Sequence, residues 1–282
     1  MTFGPALQAA AGIAVLSVMD AIIKAMSGSY HTFEVAFLRF SGGVVVVAAV
    51  LGALRPGWPS RETLVANGLR SVVGFVTATS FFYALGQLPL AETLVLSFLS
   101  PMFIALFSLL LLRERADRRI LIALVAGFAG TLIVVFGQGG EGAGPDRSWS
   151  GVAAALLSAV AYAFSLVLLR QRAQRDPFLH IVAIQNIGPA LLCAPFAAGV
   201  WQPPSVEHLG WFLVMGALGF SGHMLMARAY AKAEAPRLAP LEYTALIWAA
   251  VLGYVVFGEI PTLATIIGGA LIIGAALIAS RR

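Results

Sequence analysis

The sequence predicts an all-α membrane protein of ten transmembrane helices, arranged as two inverted five-helix repeats around a central cavity, with both termini cytoplasmic. Three observations carry this reading: the composition, a series of ten apolar runs, and a lopsided distribution of basic residues between the loops. The 282 residues are 60% hydrophobic and 11% charged, with a mean hydropathy of +0.90. A soluble domain is about 25% charged and about 45–50% apolar. Lipid is therefore the expected solvent for most of the surface.

A bilayer core about 30 Å thick takes roughly 20 apolar residues per helix, because lipid offers no partner to an open backbone group. The runs bounded by charge, Pro or Gly are Ala6 to Met26, Phe33 to Leu54, Leu64 to Leu85, Pro89 to Leu112 and Ile120 to Phe136. A second set follows: Gly151 to Leu169, Phe178 to Val200, Leu209 to Tyr230, Pro236 to Phe257 and Thr262 to Ser280. Together they use nearly the whole length and leave no room for a soluble domain. The start, Met1-Thr2-Phe3-Gly4-Pro5, has no basic segment before a long apolar stretch, so Ala6 onward is expected to be a permanent span.

With the N-terminus inside, thirteen basic residues fall in inner loops: Arg55, Arg61, Arg113, Arg115, Arg118, Arg119, Arg170, Arg172, Arg175, Lys232, Arg237, Arg281 and Arg282. Only Lys24 and Arg147 fall in outer ones. That bias fixes the orientation by the positive-inside rule, and it puts the linker-like stretch Gly139 to Ser150 outside. The net charge of +5 sits in short loops instead of an aromatic-interleaved stripe, so no nucleic-acid partner is expected. The one cysteine, Cys193, lies in an apolar run, which leaves no disulfide framework and no metal-ligand cluster to read. No cofactor is expected. The expected partners are a small-molecule substrate and the lipid bilayer of the cell membrane, with monomer and homodimer both open.

Sliding the chain on itself pairs Ala84 to Glu114 with Ala229 to Glu259 at an offset of 145, each closing a fourth span. One residue of slippage later, Ala126 and Gly130 meet Ala270 and Gly274, small pairs expected to serve helix packing or a dimer contact. The division is 1–137 for the first repeat, 138–150 for the linker and 151–282 for the second. Five spans is an odd number, so the second copy enters the membrane in the opposite sense. Transporters with such repeats hold substrate near the midplane and rock between two open states.

The chain resembles the EamA family of the drug/metabolite transporter superfamily. The resemblance rests on Phe37-Leu38-Arg39-Phe40, Ala84 through Pro89, Ala91, Pro101, Arg113-Glu114 and Gly127-Phe128-Ala129-Gly130 in the first half. In the second half it runs through Ala229-Tyr230, Leu241, Gly258-Glu259, Gly268-Gly269 and Gly274. It implies an exporter of amino acids or related small metabolites, similar to the amino-acid exporters of the family, with a drug or nucleotide-sugar carrier as the alternative. Two departures stand out. The mid-helix proline Pro101 has Leu246 as its second-half counterpart, and an aromatic residue expected before that proline is Ser100, so an aromatic-substrate preference is not carried over.

Ionisable groups within spans cost about 2.5–3.5 kcal/mol at the helix centre on insertion scales, which makes each a candidate. Asp20 and Lys24 are four apart and are expected to pair with each other. Arg39 suits bidentate contact with a substrate carboxylate, with snorkelling or pairing to Asp20 or Glu92 as alternatives. Arg70 and Arg228 are expected to snorkel at the inner ends, and Glu92 to cap the fourth span. His223 is either a satisfied core histidine or a proton carrier. Glu242, deep in the ninth span, would hold a substrate ammonium group or exchange a proton, unless Arg237 or Arg228 pairs it.

Uncharged polar residues at mid-depth are Thr79, Ser97, Ser100, Ser158, Tyr162, Ser165, Gln185, Asn186 and Ser221. Pro189 and Pro101 remove the backbone donors due to the carbonyls of Gln185 and Ser97, as at the broken helices that line cavities. The expected substrate site is Arg39, Thr79, Ser97, Ser100, Pro101, Tyr162, Gln185, Asn186, His223 and Glu242. No Walker A loop, His/Glu zinc pair or Ser-His-Asp set is legible, which disfavours a pump or an intramembrane enzyme. A channel would need a filter-like loop or a ring of like charges.

Overall fold

The computed structural model describes residues 4–100, 102–104, 106–107, 118–136, 148–172, 175–232 and 244–280. Among them run ten helices: α1 (Pro5–Ser27), α2 (Thr32–Leu54), α3 (Arg61–Gln87), α4 (Leu90–Ser97), α5 (Arg118–Phe136), α6 (Trp149–Arg172), α7 (Phe178–Ala198), α8 (Val206–Lys232), α9 (Thr244–Phe257) and α10 (Leu263–Ser280). Stretches of α1, α2, α3, α6, α7 and α8 are long and apolar enough to cross a bilayer, and the remaining four carry shorter apolar stretches. The candidates Pro101 and Glu242 lie outside the described residues.

Side-chain caps set several helix starts. Ser60 Oγ accepts the Thr63 N–H at 3.1 Å, so α3 begins at Arg61, three residues before the apolar run. Ser205, 145 positions on, does the same for α8 through the His208 N–H at 3.2 Å. Ser148 and Thr262 start α6 and α10 by accepting the N–H groups of Gly151 and Thr265.

The helices pack as α1 against α8, α3 against α6, α2 against α7 and α8, α3 against α7, α4 against α9, and α5 against α10. Lipid provides no hydrophobic drive between helices, so close approach through small residues has to supply the packing energy. Gly42 and Gly43 of α2 face Gly216 of α8, and Gly188 of α7 faces Ser71 of α3. Gly12 meets Gly222 between α1 and α8, and Gly130 meets Gly268 between α5 and α10. A Cβ at Gly274, the repeat counterpart of Gly130, would meet nothing within 4 Å, and the small-residue contact between α5 and α10 is made by Gly130 and Gly268.

A Cβ at Gly216 would run into the α2 backbone at Gly42 and Gly43, while one at Gly52 would meet open space. Gly216→Ala is therefore expected to destabilise the protein by about 1–3 kcal/mol as α2 and α8 are forced apart. Gly52→Ala should leave it unchanged. Thermal melting of the detergent-solubilised variants checks this, and equal melting temperatures would refute it.

Candidate functional site

The site is organised around two adjacent amides on α7. Arg39 of α2 donates from Nη1 to Asn186 Oδ1 at 3.2 Å, and Arg70 of α3 donates from Nε to Gln185 Oε1 at 3.0 Å. Each arginine is followed four residues later by glycine, Gly43 and Gly74, which lie on the same helix face. A Cβ at Gly43 would collide with the Asn186 side chain, and one at Gly74 with the Gln185 amide. Gly219 on α8 clears space in the same way for the Arg39 guanidinium. The Arg-x-x-x-Gly spacing thus lets α2 and α3 each seat one amide of α7.

Arg70 corrects the expectation of snorkelling. It is 8% exposed and also donates from Nη1 to Asn67 Oδ1 at 3.3 Å. Asn67 in turn donates to Asp176 Oδ2 at 2.8 Å, and Thr63 Oγ1 donates to Asp176 Oδ1 at 3.0 Å. This chain of polar groups fastens α3 to the segment preceding α7. Arg228 is exposed, as snorkelling requires.

A cavity of about 350 Å³ lies among α1, α2, α3, α4, α6, α7, α8 and the start of α9. Of the expected residues, Arg39, Ser97, Ser100, Tyr162, Gln185, Asn186 and His223 line it. Thr79 does not, a correction with a local cause: its hydroxyl donates back to the Phe75 carbonyl at 2.7 Å within α3. Ser158 and Ser165 also line the cavity.

The charged side of the wall is Arg39. Its side chain is 5% exposed, lies over the Phe40 ring at 4.3 Å, and leaves Nε without a hydrogen-bond partner. Asn186 is held for it by a bond from Nδ2 to the Val182 carbonyl at 2.9 Å. His223 places Nδ1 2.7 Å from the Gly219 carbonyl. A carbonyl can only accept, so Nδ1 carries the proton and Nε2 is left as the acceptor of the ring.

The helix break appears where α4 ends at Ser97. The N–H of Phe98 is shared between the Leu94 and Val95 carbonyls at 3.1 and 3.2 Å, and the Leu99 N–H tightens to the Leu96 carbonyl at 3.2 Å. The Ser97 carbonyl is not left free, however, because Ser100 Oγ donates to it at 2.5 Å. A side chain thus fills the bond that the missing N–H of proline 101 vacates.

The expected Asp20–Lys24 pair is also corrected. Lys24 Nζ sits 3.1 Å from Glu259 Oε1 and donates to the carbonyls of Leu85 and Leu88 at 3.1 and 2.6 Å. Asp20 instead turns to the cavity, the site residue that sequence reasoning missed. The signal was present, since Ile13, Ser17 and Asp20 repeat at helical spacing and all line the cavity. Glu92 lies in the first turn of α4, where a carboxylate suits the helix N-terminus, and Glu259 joins it there, its Oε2 accepting the Leu90 N–H at 2.9 Å.

Comparison with known proteins adds the following. The sequence profile of the EamA-like transporter family matches residues 5–136 and again residues 149–281. The pseudopaline exporter of Pseudomonas aeruginosa is 29% identical over 273 residues, covering 94% of this chain and 92% of its own. The S-adenosylmethionine uptake transporter of Rickettsia prowazekii is 26% identical, covering 93% and 87%. A solved crystal structure matches with a TM-score of 0.66 and 25% identity, covering 98% of this chain and 97% of the other.

Proposed function

Because the chain belongs to the EamA-like transporter family, we propose that it is a secondary-active exporter moving amino acids or related small metabolites by alternating access. It is a multi-pass membrane protein and a transporter, not an enzyme. The observation that carries the substrate reading is Arg39: a buried guanidinium on the cavity wall with an unpartnered Nε. A donor so placed calls for an anionic partner, and carboxylate is the group its fork fits best. The volume of about 350 Å³ lies at the small end of the roughly 300–1,000 Å³ typical of ligand pockets. Gln185, Asn186, Ser97, Ser100, Tyr162 and His223 supply further polar contacts, and Pro101 and Glu242 complete the proposed set.

The inverted repeat, divided as 1–137, 138–150 and 151–282, has several supports. Exchanging each helix with the one five places on maps the closest-packed pairs onto one another, since α1 with α8 becomes α6 with α3, and α2 with α8 becomes α7 with α3. The 145-residue offset also takes Gly43 to Gly188, Ser71 to Gly216 and Gly74 to Gly219, so the two close crossings correspond. Two matches to one family profile agree with that division.

A drug or nucleotide-sugar carrier is the second reading, favoured by the Phe81 and Tyr162 rings on the cavity wall, against which flat groups stack. Transport in oriented proteoliposomes, with and without a pH gradient, tests both. Labelled amino acids, sugars, nucleotide sugars and cationic drugs form the panel, and export of amino acids alone is the expected result. Movement only of drugs or nucleotide sugars would overturn the amino-acid reading, and movement only into the vesicle lumen from the outer face would overturn the direction.

Orientation is tested separately. Cysteines at Ser60, Ala116, Gln174 and the C-terminus should be shielded from an impermeant thiol reagent added outside, and one at Gly142 should react. Outside labelling at Gln174 would reverse the topology.

A further inference from the structure

We infer that Asp20 is the second charged anchor of the substrate site, so that the cavity selects zwitterions by holding an ammonium group at Asp20 while Arg39 holds the carboxylate. This rests on the amino-acid reading above and goes beyond it by naming the residue that separates a zwitterion from a plain anion.

Asp20 lines the cavity, and among the described residues it is the one carboxylate that does. Its carboxylate accepts no hydrogen bond from any described residue, and its expected partner Lys24 is engaged elsewhere by Glu259 and two carbonyls. Asp20 also makes no ion pair within 4 Å of Arg39, although both face the same space. An unpaired charge within a membrane span is costly and persists only where something repays it. Here the two opposite charges share one cavity without cancelling by direct contact. A ligand bearing an ammonium and a carboxylate on neighbouring atoms closes that gap and satisfies both. A simple anion would satisfy Arg39 and leave Asp20 facing a like charge, which selects against it.

Asp20 sits on α1 and Arg39 on α2, so the ligand ties two elements of the cavity together. His223, whose Nδ1 is held by the Gly219 carbonyl, and Tyr162 are the other titratable side chains there, and neither carries the negative charge an ammonium group needs.

The test uses the full chain in proteoliposomes with L-methionine, S-adenosylmethionine, N-acetyl-L-methionine and L-methionine amide as probes, and compares wild type with Asp20→Asn and Asp20→Glu. Wild type should move the free amino acids at least tenfold faster than the N-acetyl form. Asp20→Asn should abolish that preference by slowing the free amino acids at least tenfold while moving the N-acetyl form as fast as wild type does or faster. Asp20→Glu should recover part of the preference. A merely structural role for Asp20 predicts that all probes slow together in Asp20→Asn, and that result overturns the inference. Unchanged preference in Asp20→Asn with amino-acid transport intact overturns the inference alone. A wild type that moves none of the free amino acids overturns the amino-acid reading and the inference with it.

Discussion

Arg39→Ala is expected to reduce transport in proteoliposomes by roughly ten- to a hundredfold. A hydrogen bond to a charged group contributes on the order of 1.5–3 kcal/mol, and about 1.4 kcal/mol corresponds to a factor of ten in rate. The same substitution empties the space that Gly219 keeps clear and removes the donor to Asn186 Oδ1. Some loss of stability therefore accompanies the loss of transport, and rates have to be referred to folded protein. Arg39→Lys separates the two effects. The ammonium keeps the charge, but a point charge cannot both hold Asn186 and offer a second, fixed donor to the substrate. It should fold with near-normal melting temperature and still transport at least tenfold more slowly. Arg228→Ala, on an exposed helix position, should stay within about twofold of wild type. Wild-type initial rates in Arg39→Ala would remove Arg39 from the substrate site.

The helices were legible because lipid imposes one rule on every span: a long apolar run with its polar groups satisfied internally. The order of helices followed from that rule, and their starts differed where a cap such as Ser60 extended the helix beyond the apolar run. The amide pair Gln185-Asn186 was also legible, since two such side chains within a span need partners. Their partners were not. Depth alone places Arg70 near an inner helix end, yet the group that buries it, Gln185, stands 115 positions away. Asp20 and Lys24 failed for the same reason. Spacing of four residues makes a pair available, but Glu259 and two helix-end carbonyls offered Lys24 more than Asp20 could. Local spacing reports what an isolated helix would do, and the fold brings competitors from the other half of the chain.

That competition gives the second large effect, because Glu259 joins four elements at one end of the bundle. Its Oε1 lies 3.1 Å from Lys24 Nζ on α1, and its Oε2 accepts the Leu90 N–H that opens α4 at 2.9 Å. Lys24 also caps the last turn of α3 through the Leu85 and Leu88 carbonyls and lies 5.5 Å from the Phe257 ring at the end of α9. Both charges suit the helix ends they face, a cation at a C-terminus and a carboxylate at an N-terminus. Removing one partner of a buried pair costs about 3–5 kcal/mol. The two side chains here keep 13% and 24% exposure, so Glu259→Ala is expected to cost about 2–3 kcal/mol, somewhat less than that range. Lys24→Met should cost less than Glu259→Ala, since Glu259 still caps α4 when the lysine is gone. The two losses should not add. The double variant removes an interaction already lost in each single one, and coupling on the order of 1 kcal/mol is expected between directly contacting groups. Thermal melts of the four proteins in detergent close the cycle. Additive shifts, or a Glu259→Ala protein that melts with wild type, would show that this contact contributes nothing to holding the two halves together at that end.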